Sequence, residues 1–387
     1  MKTFILALIV FPYVILGQQQ HLNQLSFGTD STLDVMTWNM EWFPKYGQTT
    51  ADSVLVILKA LDIDIIACQE IDDSVTFKNM VNQLSTYQTF IQSSYFPGLA
   101  LIYNTSTISI NSAYEIYSSF PYWSAFPRAP QVLEFTYKNQ NFAIINNHLK
   151  CCGDGYLNNN DDSDEENRRF QANTLLENYI ATNFTNTNVI LLGDLNDEIT
   201  DLPADNVFLP FLNQPTQYLF ADDFIANSVP SNWSYPAWPS HIDHILITKP
   251  LFNDFSANGS SIETIRIDDY LNNGFSSYDA ILSDHRPVAL KLNIQATYLN
   301  TVQEEKAIPA YSIYPNPADA LLNIEAAFKN SQARVTIMNL TGKICAVQNI
   351  NDFHSIINTS NIVNGTYLLI IQNELEIKTF SINIQHE

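Results

Sequence analysis

Positive charge is scarce in this 387-residue chain: 18 Lys and Arg stand against 40 Asp and Glu, a formal charge of −22. A surface that holds a polyanion through its own side chains is basic, so binding of that kind is excluded, and any chemistry on phosphate has to draw its positive charge from a bound metal. Cysteine is scarce too, and four residues cannot make the disulfide framework of a small secreted domain. After Leu16 no apolar run approaches the roughly 18 residues that a membrane-spanning helix needs. No period of roughly 20 to 50 residues recurs, which excludes repeat architectures. Core material is not lacking. With 46% hydrophobic and 12% aromatic residues the chain exceeds what a disordered protein carries and can fill one large domain and a small one.

The two ends differ from the middle. Lys2, the apolar stretch Phe4–Leu16 and the small Gly17 read as a secretory signal peptide over residues 1–17, with an N-terminal anchor or a buried strand as the competing reading; thirteen apolar residues are too short to span a bilayer. At the other end, residues 297–310 are polar, contain Glu304-Glu305-Lys306 and read as a linker. Residues 311–387 then alternate short apolar runs, Tyr311–Ile324, Val335–Ile344 and Gly365–Ile371, with Asn, Gly and Pro turns, the pattern of a small all-β sandwich. The wording of these three segments resembles the type A C-terminal sorting domain of the type IX secretion system. That resemblance implies passage through the periplasm, contact with the type IX machinery and a secreted or cell-surface location; an accessory carbohydrate-binding or adhesion module is the alternative. Residues 18–310 carry 13 basic and 34 acidic groups while 311–387 carry four and six, so the chemistry is expected in the first, acidic part.

Between residues 30 and 296 short apolar runs end in polar residues: Val35–Asn39, Ile63–Glu70, Leu99–Tyr103, Phe142–His148, Val189–Asn196, Ile242–Ile247 and Val288–Leu292. Such runs are strands with buried middles. Helical spacing at Ala51–Leu61 and Arg168–Ala181 calls for sheets flanked by helices rather than an all-β fold. Asn39, Glu70, His148, Asp194, Asn196, Asp243, Asp284 and His285 each fall in or at the end of an apolar run. Any one of them could be a cap, an ion pair or a turn residue. Eight together point to a site, because a strand holds its last side chain rigidly while the loop beyond leaves room for substrate. Oxygen ligands without a Cys cluster select Mg²⁺, Mn²⁺ or Ca²⁺ over structural zinc. His241 and His244, three apart, are expected on opposite faces of a strand and so not to share a zinc.

Six motifs, Thr37-Trp38-Asn39-Met40, Gln69-Glu70, Asn147-His148-Leu149, Gly193-Asp194-Leu195-Asn196, Ser240-His241-Ile242-Asp243-His244-Ile245 and Ser283-Asp284-His285-Arg286-Pro287, together resemble the endonuclease/exonuclease/phosphatase superfamily, the DNase I-like metal-dependent phosphodiesterases. The resemblance implies a four-layered α/β sandwich. It makes Glu70 the principal ligand of Mg²⁺ or Mn²⁺, with Asn39 and Asp284 close by. It makes His285 the base for the attacking water, oriented by Asp243; Asp194 and Asn196 would orient water or leaving group, and His148 would donate to the phosphate or the leaving oxygen. Arg128, in Phe126-Pro127-Arg128-Ala129-Pro130, fits the phosphate-binding arginine, with a surface salt bridge as the alternative. Where DNase I-like nucleases place a glutamate beside the histidine, this chain has Pro97-Gly98, which weakens an acidic role for His148.

Cys151-Cys152 follow His148 closely, and a vicinal disulfide, a bridge to Cys68 or two free thiols all fit. The acidic run Asp161–Glu166 has ligands suited to a structural Ca²⁺ but lacks EF-hand spacing, and a solvated loop capping the next helix is the simpler reading. Tyr95, Phe96, Tyr122, Trp123, Trp233, Tyr235 and Trp238 lie near the motifs and serve either base stacking or core and lid packing. The expected activity is that of a secreted nuclease acting on DNA or RNA. A phosphatase or lipid phosphodiesterase of the inositol phosphate or sphingomyelin type is the alternative, and a non-catalytic adhesin ranks last because no site residue is missing.

Overall fold

The computed structural model describes residues 21–92, 98–294, 311–326, 333–339, 343–350, 354–372 and 377–386. The expected signal peptide and linker, as well as Tyr95 and Phe96, lie outside the described residues. The chain divides into two compact units, Met1–Tyr298 and Leu299–Glu387.

In the larger unit the strands are β1 (Leu33–Phe43), β2 (Ile65–Ile71), β3 (Tyr87–Phe90), β4 (Leu99–Asn104), β5 (Ser109–Glu115), β6 (Gln131–Tyr137), β7 (Gln140–His148), β8 (Asn188–Asp194), β9 (Tyr218–Phe220), β10 (Asp243–Thr248), β11 (Ser261–Thr264) and β12 (Val288–Leu292). Three helices matter for the layers: α1 (Gln48–Leu61), α2 (Ser74–Val81) and α3 (Glu165–Asn183). The strands form two six-stranded sheets, ordered β11-β12-β1-β2-β4-β3 and β5-β6-β7-β8-β10-β9. Each is mixed: β1 runs parallel to β2 and β7 to β8, while the other neighbours are antiparallel.

The two-residue period of the strands builds the layers. Val35, Ile65, Leu101 and Leu290 of one sheet meet Phe135, Ile144, Ile190, Leu192 and Ile245 of the other in a single buried cluster, so the sheets pack face to face. Their sequence neighbours point the opposite way. Met36, Trp38, Ile66 and Cys68 pack beneath Leu58 of α1 and Phe77 of α2, and Ala143, Ile145, Val189 and Leu191 pack beneath Ala172, Leu176 and Ile180 of α3. The result is the four-layered α/β sandwich. α3 begins at Glu165, capped by Asp164, whose carboxylate accepts Asn167 N–H at 2.7 Å.

The smaller unit is all β. Strands β13 (Tyr311–Tyr314), β14 (Leu321–Ala326), β15 (Ala333–Asn339), β16 (Ile344–Ile350), β17 (His354–Asn358), β18 (Gly365–Gln372) and β19 (Ile377–Ile384) make a three-stranded sheet, β13-β14-β17, and a four-stranded one, β16-β15-β18-β19. Leu322, Ile324, Val335, Ile337, Leu369 and Ile371 fill its own core. Among the described residues no helix is long and apolar enough to cross a membrane.

One polar contact crosses the main core. Gln69 Nε2 donates to Asn146 Oδ1 at 2.8 Å, and Asn146 Nδ2 donates to the carbonyls of Cys68 and Ala100 at 3.2 and 3.1 Å. Both side chains are fully buried, so each donor needs partners inside the protein. Asn146→Leu takes the nearest acceptor from the Gln69 amide, which keeps Thr37 Oγ1 at 3.1 Å and the Ala67 carbonyl at 3.2 Å, removes a donor from two buried carbonyls, and is expected to cost about 1–3 kcal/mol in urea unfolding. A change within a few tenths of a kcal/mol would show that the amide bridge carries no stability.

Candidate active site

The inward-facing alternation ends in polar residues at one rim of the sandwich. Val35, Thr37 and Asn39 follow one another on β1, Ile144, Asn146 and His148 on β7, and Ile190, Leu192 and Asp194 on β8. Register then sets them side by side: His148 pairs with Asp194 across the parallel β7–β8 ladder, and Asp194 with Asp243 across β8–β10. Cross-strand neighbours stand about 5 Å apart at Cβ, so three functional side chains share one level. Gly193 permits the approach. Its φ is +148°, and a Cβ there would lie 2.0 Å from the Asn147 carbonyl oxygen.

Glu70 would follow Cys68 toward the helix layer if β2 stayed regular. It has φ +59° instead, a left-handed conformation uncommon for a non-glycine residue, beside a bulge in the β1–β2 ladder. Its carboxylate is thereby turned to the rim, where it accepts from Asn39 Nδ2 at 3.3 Å and Trp42 N–H at 3.2 Å and lies 3.9 Å from His148 Nε2. Asn196, φ +57°, follows Asp194 and donates its N–H to the Asp194 carboxylate at 3.1 Å.

Asp194 lies at the centre. Its Oδ2 accepts from Asn39 Nδ2 of the opposite sheet at 2.8 Å and lies 3.5 Å from His148 Nε2 and 3.9 Å from His285 Nε2. His285 Nδ1 is hydrogen-bonded to Asp243 Oδ2 at 2.8 Å, and its Nε2 is 3.9 Å from Asp284. The loop carrying these last residues is pinned: Ser283 Oγ donates to the Asn39 carbonyl at 2.6 Å, and Arg286 forms a buried bidentate pair with Asp268 at 3.0 and 2.6 Å. Glu70, His148, Asp194, Asn196, Asp284 and His285 line one cavity of about 440 Å³. Asn39 and Asp243 lie behind it, and Arg128 beside it, its side chain 3.3 Å from the place a Gly98 Cβ would take. Among the described residues the Arg128 guanidinium makes no ion pair, so the surface salt bridge is not what holds it.

Electrostatics follow from burial and crowding. Burial raises Asp194 well above the carboxylate range, with Asp243 and Glu70 adding to the rise against the opposing pull of His285. Asp284 is pushed up to about 6 by burial and by Glu41, again against His285. Burial opposes the charged form of His285, but Asp243 and Asp194 outweigh it and hold the imidazole above its ordinary value. His148 moves the other way, held well below its ordinary value by burial, Arg128 and His285. The cluster therefore carries more negative charge than its surroundings neutralise. The buried Asp243 Oδ1 and His148 Nδ1 also lack hydrogen-bond partners. Carboxylate oxygens of Glu70 and Asp284 beside such a deficit fit a hard divalent cation, while Asn39 turns its Nδ2 to Glu70 and Asp194 and its Oδ1 accepts the Glu41 N–H at 2.9 Å.

His241 and His244 correct an expectation. β10 begins only at Asp243, so strand alternation does not govern His241, and both imidazoles converge on Asp222 Oδ2 at 3.0 and 2.6 Å. With Asp222 they bring three candidate metal-ligand atoms within 4.8 Å of one another, against the expectation of opposite faces. His241 Nδ1 accepts Ser234 N–H at 3.3 Å, so its proton is on Nε2 toward Asp222. His244 meets acceptors on both nitrogens, Asp222 and the Asp197 carbonyl at 2.9 Å, so both carry protons. The cysteines are also resolved: Cys151 and Cys152 are exposed free thiols with sulfurs 3.1 Å apart, and Cys68 is buried in β2, away from any bridge.

Glu41, Trp42 and Asp222 escaped sequence reasoning, whereas Tyr235 and Trp238 were among the aromatic residues noted near the motifs. Glu41 accepts the Asp284 N–H at 2.7 Å and pairs with Lys45, which bridges to Asp279 at 2.7 Å. Tyr235 packs its ring on His285 with centroids 4.6 Å apart. Trp42 and Trp238, 70% and 78% exposed, stand at the cavity with their faces open. Tyr122 and Trp233 instead pack against core clusters. Glu41, two residues after Asn39, was the one a period-two reading could have found; Asp222 left no signal, since its partners are about twenty residues away.

Residues 36–285 match the family model described as Endonuclease/Exonuclease/phosphatase family, and residues 312–385 match the Secretion system C-terminal sorting domain. No curated protein matches the chain in sequence. Among solved structures the chain is similar to D. rerio TDP2 complexed with single strand DNA product, at 14% identity and TM-score 0.52, covering 68% of this chain and 100% of that one. The human nocturnin catalytic domain with bound sulfate anion gives 16% identity, TM-score 0.48 and coverage of 68% and 95%. An endonuclease/exonuclease/phosphatase from Bacteroides vulgatus gives 13%, 0.48, 69% and 100%.

The Asp222 hub yields a stability test. Burial disfavours its charge, but His244 and the hydrogen bonds from both imidazoles outweigh burial and hold the carboxyl below its usual range. Burial likewise opposes the His244 cation, and Asp222 overrides it, raising His244 above its ordinary value. Asp222→Asn leaves a buried imidazolium without its counter-charge and should cost about 3–5 kcal/mol near pH 6. The raised His244 contributes fully below its unfolded value of about 6.5 and loses its contribution as pH climbs through its folded value, whereas the depressed Asp222 contributes above about pH 4 and loses it on acidification. The gap in unfolding free energy between wild type and variant is therefore widest from about pH 4 to 6.5. A gap that stays constant from about pH 5 to 10 would show that His244 is not charged.

Proposed function

Because the chain belongs to the endonuclease/exonuclease/phosphatase family, whose members are metal-dependent phosphoester hydrolases, we propose that it is a nuclease, cutting phosphodiester bonds of DNA or RNA outside the cell. Its second unit is a type IX secretion sorting domain, which marks the chain for export to the cell surface or beyond. The observation that carries the proposal is the meeting of Glu70, His148, Asp194, Asp284 and His285 in one cavity, with Asp243 behind His285.

Glu70, Asn39 and Asp284 would hold Mg²⁺ or Mn²⁺, which supplies positive charge for the phosphate and for the developing charge of the reaction. The other residues handle protons and orientation. Asp243, accepting at Nδ1, fixes His285 with Nε2 toward the cavity; once a cation offsets the carboxylate charge that favours the protonated ring, that Nε2 would take a proton from the attacking water. Tyr235 against the imidazole face limits rotation of the ring. Asp194 and Asn196 orient the water or the leaving group on the other side of His285. His148, kept neutral by its surroundings, donates a hydrogen bond to a phosphate oxygen rather than acting as a strong acid. Arg128, uncommitted to any carboxylate among the described residues, is placed to pair with phosphate.

Two observations favour nucleic acid over inositol polyphosphates. Among the described residues the only arginine or lysine lining the cavity is Arg169, already committed to Glu166 and Asp197 at 3.1 and 2.7 Å, so a headgroup with several phosphates finds few cations. Trp42 and Trp238 present exposed faces at the cavity mouth, where unpaired bases can stack. Supercoiled plasmid and RNA should be cleaved with Mg²⁺ and left intact with EDTA, and His285→Ala should lower kcat by about 10²–10⁴ with the fold retained by circular dichroism. Hydrolysis of sphingomyelin or release of inorganic phosphate from inositol phosphates, with both nucleic acids untouched, would replace this reading with the lipid or phosphatase one.

A further inference from the structure

The loop that follows β7 returns to α3 across the cavity wall, and it gathers three carboxylates. Asp154, Asp164 and Glu166 each can bring one oxygen within 4.8 Å of the others. Their first oxygens are engaged: Asp154 Oδ1 by Tyr156 N–H at 3.1 Å, Asp164 Oδ1 by Asn167 N–H at 2.7 Å, and Glu166 Oε1 by Gly155 N–H at 2.8 Å and Arg169 Nη2 at 3.1 Å. Glu166 is 2% exposed, and its second oxygen, Oε2, is buried without a hydrogen-bond partner among the described residues. Burying such an oxygen unpaired is costly, and Arg169 cannot serve it, because its remaining nitrogens go to Asp197 and to the carbonyls of Lys150 and Cys152 at 2.7 Å each. Gly153, φ +118°, presses its backbone on the same carboxylate: a Cβ there would lie 2.1 Å from Glu166 Oε1.

We propose that Asp154, Asp164 and Glu166 bind Ca²⁺ and that this ion fixes the loop whose residues Cys151, Cys152 and Gly155 line the cavity. The span of the three oxygens suits Ca²⁺, whose bonds of about 2.3–2.6 Å and loose geometry accept ligands from a loop more readily than the tight octahedron of Mg²⁺. Export delivers the chain to surroundings where a weak site fills, since extracellular sites work at about 10⁻⁴–10⁻³ M. The site does not depend on the reading of the cavity as a nuclease.

Calorimetric titration of the full-length chain with CaCl₂ tests it, carried out on Glu70→Gln so that the cavity carboxylates are already weakened. That variant should still bind Ca²⁺, with a rise in Tm of about 5 °C at saturating ion. Adding Asp154→Asn and Asp164→Asn, whose amide oxygens keep the loop's N–H bonds, should weaken Ca²⁺ binding at least tenfold and abolish the rise. Glu166→Gln should do the same. An isotherm lost with Glu70→Gln alone, or one that the two Asn substitutions leave unchanged, assigns the ion to other carboxylates and overturns the proposal. Absence of Ca²⁺ binding in the wild-type chain overturns it outright. Loss of nuclease activity enters none of these readouts, so failure of the functional reading and failure of this one are told apart.

Discussion

A carboxylate buried where two sheets meet must be met by donors from both sides, and Asp194 is. Asn39 reaches it from the opposite sheet at 2.8 Å, Asn196 from its own loop at 3.1 Å, and two imidazoles flank it. The rest of the site depends on that meeting. A slip of one residue in β8 would put Val189, Leu191 and Gly193 where Ile190, Leu192 and Asp194 face inward, removing the carboxylate from the rim and leaving the smaller Val189 where Ile190 packs. Packing of Ile190 and Leu192 against the facing sheet thus enforces the same register that the chemistry needs. Stability and site geometry here share one cause.

Regular strands alone could not complete the cluster. A side chain needed between two in-pointing positions has to be turned by its own backbone, and Glu70 and Asn196 both adopt left-handed φ angles immediately at the rim. Conformations of this kind cost of order 1–3 kcal/mol for non-glycine residues, so they persist only where neighbours hold them. Glu70 is held by Asn39 and the Trp42 amide, and Asn196 by Asp194 and the Leu149 carbonyl at 3.3 Å. The holders are themselves site residues or adjoin them. At the rim, then, backbone strain and function coincide in Glu70 and Asn196.

Much of this was legible in the chain. Polar residues ending apolar runs marked Asn39, Glu70, His148 and Asp194 because strand burial stops where the site begins. Both helical spacings became α1 and α3. What stayed hidden has physical reasons. Strands β3, β5, β6, β9 and β11 are short or have polar residues among their apolar ones, so their pattern does not stand out from loops. Asp222 and Asp268 act through partners about twenty residues distant, a separation that no local period encodes. His241 was assigned to a strand that starts two residues later, and alternation was applied where it has no force. The roles of individual residues came from motif resemblance; composition indicated only oxygen ligands and a shortage of cations.

That shortage gives the arrangement its logic. A protein with 40 acidic and 18 basic residues repels a nucleic acid, and in salt a Debye length of about 10 Å confines that repulsion to near contact. On the proposed reading, attraction is then local: a divalent ion among Glu70, Asn39 and Asp284, the guanidinium of Arg128, and aromatic faces that need no charge. Spending positive charge on lysines across the surface would bind substrate and product alike. Confining it to the point of cleavage ties affinity to the atoms whose charge changes during the reaction, which favours turnover over retention. An exported enzyme, with cations supplied by its surroundings, can rely on that economy; the acidic surface that argued against a nucleic-acid binder at the outset is compatible with a nucleic-acid hydrolase.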